Sequence, residues 1–150
     1  MALPEPTPGL VIGYAYLWRD EALGGADEGR KDRPCVIILS VQSLAGETII
    51  TVAPVTHTPP PGPGIAVEIP AATKRRLRLD DRRSWIVAAD LNRFTWPGVD
   101  LRPTTRDGNA FAYGLLPSTL YREVRERVLA LARAGRIRLT GRGGAPSSGA

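Results

Sequence analysis

The sequence predicts an α+β protein, mainly β, in which a small barrel of short strands is followed by one C-terminal helix. Sixteen glycines and fourteen prolines in 150 residues indicate frequent turns and therefore short strands. Most apolar segments are rich in β-branched and aromatic residues, and only one segment, near the C-terminus, has a helical period. Because short strands leave unpaired edges, a closed or nearly closed barrel is the expected arrangement. The length suits one such domain.

The predicted strands begin after a loose, proline-rich arm at residues 1–8. Residues 34–41 form the strongest strand, because they are apolar on both faces and therefore central in the sheet. Residues 48–55 are the expected hairpin partner, and Pro54 fits a strand that ends or bulges there. The other predicted strands are residues 9–18, 66–70, 84–89 and 91–96. The predicted connections are loops at 19–32, 58–64 and 97–112 and a short helical turn at 71–77.

The predicted helix begins after Pro117, with Ser118 as its expected cap, and ends at Gly135. Its apolar face is formed by residues three and four positions apart, namely Leu120, Val124, Val128 and Leu131. Residues 139–150 contain too few apolar groups to offset their ordering entropy, so they are predicted to be a disordered tail. The folded domain is therefore predicted over residues 9–138.

Charge and composition exclude several classes of protein. All 15 acidic residues and 15 of the 20 basic residues lie at or before position 126, so the net charge of +5 comes from later arginines and is weak evidence for nucleic-acid binding. One cysteine and one histidine offer neither an intramolecular disulfide nor a zinc site. Glycine-rich phosphate loops, nucleophile elbows, a signal peptide and a membrane-spanning run are not recognisable. We expect a cytoplasmic protein without metal or cofactor.

The candidate chemistry centres on Arg33, at the entrance of the predicted central strand. Residues 28–34, EGRKDRP, lead straight into that strand. A side chain at this position is held by a rigid element, which suits a catalytic group. The planar guanidinium can bind a phosphate through two hydrogen bonds and stays charged at any relevant pH. The segment therefore favours chemistry on a phosphate.

This segment resembles the motif of MazF/PemK/Kid-type toxins of toxin–antitoxin modules, in which basic or small residues precede Arg-Pro and an apolar strand. A glutamate commonly stands five positions before the motif arginine in that family, and Glu28 has this spacing from Arg33. Thr56 resembles the threonine that ends the family's next strand. With the later strand–turn–strand segment and the closing helix, the resemblance covers roughly residues 9–134 and implies an SH3-like barrel.

The resemblance also implies a growth-inhibiting, metal-independent endoribonuclease, active as a homodimer and silenced by a cognate antitoxin. RNA carries its own nucleophile, the 2′-hydroxyl, and the expected products are a 2′,3′-cyclic phosphate and a 5′-hydroxyl. By position, Arg33 would stabilise the five-coordinate phosphorus, and Thr56 would hydrogen-bond a phosphate oxygen. Glu28 would act as a supporting acid or base or orient the arginine. His57 is a further candidate, because imidazole groups ordinarily titrate near neutrality.

Single-stranded RNA would be bound by basic and aromatic side chains. Residues 74–83 hold the densest local charge, and residues 92–96 combine an amide, a cation and two aromatic rings able to stack on bases. The predicted substrate-binding residues are Lys31, Lys74, Arg75, Asn92, Arg93 and Trp96. Plainer interpretations exist for these features: a solvated turn for residues 74–83, a core or interface anchor for the tryptophan, and a surface ion pair between Glu28 and Arg33.

Two other functions stay open from the sequence. Toxins with a related fold bind DNA gyrase and cleave no RNA, so the barrel could act through a protein target. It could also be a nucleic-acid-binding regulator that relies on the C-terminal arginines. The joint presence of Glu28, Arg33 and Thr56 favours the nuclease. That interpretation requires the arginine and the threonine to lie close together on one face of the barrel.

Overall fold

The computed structural model describes residues 3–23 and 31–142. In chain order, the helices and strands of these residues are β1 (Leu10–Tyr16), α1 (Arg19–Leu23), β2 (Lys31–Gln42), β3 (Thr48–Thr56), β4 (Ala66–Glu68), α2 (Ala71–Arg76), β5 (Trp85–Val87), β6 (Asp90–Thr95), β7 (Ala112–Leu115), α3 (Ser118–Arg133) and β8 (Arg138–Gly141). Among the described residues, no helix is both long and apolar enough to cross a bilayer.

The strands form one curled sheet in the order β4-β5-β3-β2-β1-β7, and β6 pairs with both β3 and β8. Only the β6–β8 pairing is parallel; the other strand pairs are antiparallel. Along one edge of β3, residues 49–52 pair with β6 and residues 55–56 pair with β5. Pro54 lies at this change of partner, where one ladder ends and the next begins. The curled, mainly antiparallel sheet with its C-terminal helix confirms the predicted fold class.

The sheet is buried on both faces, as the apolar character of β2 predicts. One core cluster lies between the sheet and α3, whose buried residues are the four predicted ones, Leu120, Val124, Val128 and Leu131. A second cluster covers the opposite face and contains Tyr14, Tyr16, Ile37 and Phe94. Gly135 follows the helix with a φ of 68°, the left-handed conformation that ends many helices. The capping prediction is wrong: Ser118 is already helical, and no side chain hydrogen-bonds the first turn.

Two other sequence predictions need correction in detail. The predicted loop at 19–32 contains α1, and β2 begins at Lys31, three residues before the predicted start. The short strand β7 was not predicted, because its four residues include a glycine and pair with β1 across a shift of register. The predicted short helical turn at 71–77 is confirmed by α2.

The prediction of a disordered tail from residue 139 is wrong for its first four residues. Strand β8 pairs in parallel with β6 from Asp90↔Arg138 to Arg93↔Gly141. The guanidinium of Arg142 then enters the core, where it donates to the carbonyl of Ala15 over 2.6 Å. The backbone pairing and the hydrogen bonds of this buried side chain order the segment, although its apolar content is low. Residues 143–150 lie outside the described residues.

Candidate active site

Arg33 and Thr56 lie at the same end of the neighbouring strands β2 and β3. The last pair of the ladder between these strands is Cys35↔Pro54, and Arg33 and Thr56 each lie two residues beyond it. Both residues line two cavities, of about 330 Å³ and about 340 Å³. The structure therefore brings the arginine and the threonine together, as the nuclease interpretation requires.

The two cavities meet at this pair and differ in character. The first, here called the polar cavity, is lined mainly by charged and hydrogen-bonding side chains from β2, the end of β3 and the segment after α2. The second, here called the apolar cavity, is lined by Trp18, Ile65 and Pro59, Pro60 and Pro61 of the proline-rich loop. A group that bridges Arg33 and Thr56 would therefore have a polar space on one side and an apolar one on the other.

The guanidinium of Arg33 is held in place yet keeps donors available. Its Nη1 donates to the carbonyl of Val55 over 3.3 Å, and its central carbon lies 5.2 Å from the centroid of the Trp18 ring. The Nε atom is buried and has no hydrogen-bond partner among the described residues. A buried donor without an acceptor is costly, so this nitrogen is an unfavourable feature of the described structure.

The hydroxyl of Thr56 is oriented by the turn that ends β3. Its oxygen accepts a hydrogen bond from the backbone N–H of Thr58 over 3.1 Å. A threonine hydroxyl that accepts in this way still has its own hydrogen to donate. Thr56 can therefore donate to an oxygen held between it and the arginine.

The polar cavity has an excess of positive charge. It is lined by Lys31, Arg33 and Arg78, none of which forms an ion pair with another described residue. Its two carboxylates, Asp32 and Asp80, are both engaged by basic partners. Arg78 has a φ of 58°, a conformation uncommon for a residue with a side chain and found often at functional sites. The local charge suits an anionic ligand.

A chain of short hydrogen bonds forms one wall of the polar cavity. His57 Nε2 lies 2.6 Å from Asp80 Oδ2, and Lys74 Nζ donates to Asp80 Oδ1 over 2.6 Å. Partial desolvation alone would raise the pKa of the Asp80 carboxyl, but the hydrogen bonds from Lys74 and His57 outweigh it and hold the pKa below its usual value. Lys74 is buried and also donates to Ser84 Oγ over 2.6 Å and to the carbonyl of Arg82.

The predicted role of Lys74 in substrate binding is therefore wrong, because its ammonium group is buried and already hydrogen-bonded. The prediction for Asn92 is wrong for the same reason. Asn92 is fully buried, accepts from the N–H of Leu17 over 3.0 Å and donates to the carbonyl of Leu17 over 2.7 Å. Its amide serves as a backbone-like partner that anchors the end of β1.

The other predicted substrate-binding residues lie in different places. Lys31 is exposed and lines the polar cavity. Arg75 is exposed in a third, neighbouring groove, and Arg93 is exposed on β6 and lines neither cavity. Trp96 is half-buried and packs against the second core cluster, with its ring 6.1 Å from that of Phe94. Glu28 lies outside the described residues.

Sequence reasoning missed the contributions of Trp18, Arg78 and Asp80. The aspartate belongs to the charged run 74–83, which suggested a track for phosphates and not a partner for a histidine 23 positions away. No local pattern connects the two residues, so only the packing of α2 and the following turn against the end of β3 could reveal the contact. Within the described ranges, no group of three or more His, Cys, Asp or Glu side chains is arranged to hold a metal ion.

Comparisons with known proteins bear on the fold. No family model matches the sequence, and no curated protein matches it. A chain in the crystal structure of MazE–MazF (form II) from Deinococcus radiodurans matches with a TM-score of 0.50 and 18% sequence identity, over 88% of this chain and 97% of that chain. At this identity the match concerns the fold alone. The chain therefore has a MazF-like fold.

Proposed function

We propose that the protein is the cytoplasmic toxin of a toxin–antitoxin module and inhibits growth as an endoribonuclease that cleaves single-stranded RNA without a metal ion. The observation that carries the proposal is the meeting of Arg33 and Thr56 at the junction of two cavities, beside Lys31 and Arg78, which form no ion pair with another described residue. The MazF-like fold supports the assignment to this class of toxin.

The reaction needs little from the protein, because RNA supplies the nucleophile. The 2′-hydroxyl attacks the adjacent phosphorus, and charge accumulates on the two non-bridging oxygens of the five-coordinate intermediate. The guanidinium of Arg33 and the hydroxyl of Thr56, which line both cavities, would hydrogen-bond those oxygens. The guanidinium would also stabilise the charge on the departing 5′-oxygen. The products would be a 2′,3′-cyclic phosphate and a 5′-hydroxyl.

The cavities on either side of this pair would hold the adjoining nucleotides. Lys31 and Arg78 would bind phosphates along the polar cavity. The apolar cavity, with Trp18 and its prolines, would accept a base splayed out of the strand. Single-stranded RNA fits this arrangement, because its bases and its backbone can separate into different spaces.

The resemblance and the structural neighbour together support two protein partners. The neighbouring structure contains MazE together with MazF, which supports a cognate antitoxin as a partner of this chain. The antitoxin would silence the enzyme by covering the polar cavity. The expected functional unit is a homodimer, which light scattering of the purified protein would test.

The proposal is tested by incubating tag-free protein with single-stranded RNA in EDTA and by analysing the new ends. We expect cyclic phosphate and 5′-hydroxyl ends. Arg33→Ala should lower the rate by about 10²–10³-fold, as the removal of one donor to a developing oxyanion does. Arg93→Ala is the matched control, because Arg93 is exposed and lines neither cavity. Full activity of Arg33→Ala would refute the proposal, and so would intact RNA combined with retention of DNA gyrase.

A further inference from the structure

We propose that His57 is the general base of this cleavage and that Asp80, supported by Lys74, is a positioning residue that fixes the tautomer of the imidazole. The inference rests on the proposed function and assigns its proton-transfer step. It rests on the hydrogen bonds among His57, Asp80 and Lys74, which are separate from the contacts of Arg33 and Thr56.

The contact between His57 and Asp80 selects one ring nitrogen. His57 Nε2 lies 2.6 Å from Asp80 Oδ2, and the other carboxylate oxygen accepts from buried Lys74 over 2.6 Å. A carboxylate held ionised by a buried ammonium group can only accept hydrogen bonds. In the neutral imidazole, Nε2 must therefore carry the hydrogen, and Nδ1 must carry the lone pair.

The lone pair belongs to a side chain that solvent and substrate can reach. His57 directly follows Thr56, both line the polar cavity with Arg33, and the side chain of His57 is 26% exposed. No described residue hydrogen-bonds Nδ1 of His57. The other titratable and charged groups that line the same cavity are Lys31, Asp32, Arg33, Arg78 and Tyr113.

The proton-transfer step follows from this arrangement. Neutral Nδ1 of His57 takes the proton of the 2′-hydroxyl while the 2′-oxygen forms its bond to phosphorus. The bond between phosphorus and the 5′-oxygen then breaks, and the 5′-oxygen leaves with the bonding pair and takes a proton from water. The imidazolium returns its proton to solvent. Arg33 and Thr56 hold the non-bridging oxygens throughout and transfer no proton in this step.

A purely structural role for the same contact is the competing explanation. The chain Lys74–Asp80–His57 also ties the turn after α2 to the end of β3, so a loss of activity in one variant would not separate the two roles. The tautomer of the free protein tests the contact itself, and the pH dependence of cleavage separates the two roles. A purely structural contact would fix the same tautomer but would not create an ionisation in the rate.

The first experiment reads the tautomer directly by ¹⁵N NMR of the imidazole in tag-free protein. His57 is the only histidine in the sequence, so its signals need no assignment. We expect the neutral ring to carry its hydrogen on Nε2, and Asp80→Asn should weaken that preference. Asp81→Asn, which removes the neighbouring carboxylate, is the matched control and should leave the spectrum unchanged. A neutral ring with its hydrogen on Nδ1 would overturn the inference.

The second experiment measures single-turnover cleavage over roughly pH 5 to 9. The wild type should lose activity on acidification with a slope of one. His57→Gln should lose both this acid limb and about 10²–10⁴-fold of the plateau rate. Asp80→Asn should lower the plateau rate, because the imidazole loses the ionised acceptor that fixes its tautomer. Arg33→Ala should lower the plateau and keep the limb, and thermal melts would verify that each variant is folded at the assay temperature.

The outcomes distinguish this inference from the proposed function. A wild type that does not cleave RNA would overturn the proposed function and the base role with it, whatever the tautomer. A wild type that cleaves, combined with a His57→Gln variant that keeps both its rate and its acid limb, would overturn the base role alone.

Discussion

Replacing Arg142 by alanine should lower the free energy of unfolding by about 3–5 kcal/mol, the usual cost of removing one partner of a buried ion pair. The side chain of Arg142 is 2% exposed, and its Nη2 lies 2.9 Å from Oδ1 of Asp100, whose side chain is 13% exposed. Nη1 donates to the carbonyl of Ala15 and to the side-chain oxygen of Asn92. The substitution leaves a nearly buried carboxylate without its cation and these acceptors without that donor.

Arg138→Ala is the matched control, because it removes the same side chain from β8, the strand that ends directly before Arg142. Arg138 pairs with Asp20, but these side chains are 49% and 74% exposed. Exposed ion pairs contribute at most about 1 kcal/mol. The contrast between the two variants therefore measures the effect of burial and not merely the loss of an arginine from this part of the chain.

Urea denaturation followed by circular dichroism and thermal melts would measure both variants. For a domain of this size, the melting temperature should fall by about 6–20 °C for Arg142→Ala and by less than about 4 °C for Arg138→Ala. A double variant, Arg142→Met with Asp100→Asn, should recover part of the loss, because no unpaired charge stays buried. Equal and small effects of the two alanine substitutions would show that the buried pair does not stabilise the fold.

Three further predictions concern the core and the cavity. Gly13→Ala should destabilise the protein by about 1–3 kcal/mol in urea denaturation, because the added Cβ would meet the backbone carbonyl of Arg102. Gly141→Ala is the control: open space surrounds Gly141, so stability should change by less than about 0.5 kcal/mol. Burial raises the pKa of the Cys35 thiol, so a thiol reagent should label it only at the rate of unfolding; fast labelling of the native protein would contradict this. Desolvation raises the pKa of the Asp80 carboxyl, but its two hydrogen bonds outweigh desolvation and leave the pKa below the usual value. The ionised carboxylate therefore stabilises the fold at neutral pH, and this contribution is lost as the pH falls through the lowered pKa. Acidification should therefore cost the wild type more stability than Asp80→Asn, and equal losses would contradict the assignment.

The features that sequence reasoning predicted correctly depend on contacts between nearby segments. The hairpin of β2 and β3 joins residues separated by one short turn, so the pairing could be anticipated from two apolar runs, although the register shift between Ile37 and Leu39 could not. Arg33 and Thr56 stand near the open end of that hairpin, and the family resemblance singled them out. Helix α3 carries its own period and its own terminating glycine, Gly135. These are local properties of the chain.

The features that sequence reasoning missed depend on which distant segments meet. Strand β8 has little apolar content of its own, and it is ordered because β6 offers a pairing edge and the core offers partners to Arg142. Asn92 belongs to a segment whose composition suits base recognition, yet the contact between β6 and the end of β1 buries its amide against the backbone of Leu17. The sequence by itself determined the class of fold and the arginine–threonine pair. Only the tertiary structure decided that the lone histidine faces Asp80, because that contact depends on how α2 and its turn pack on the end of β3.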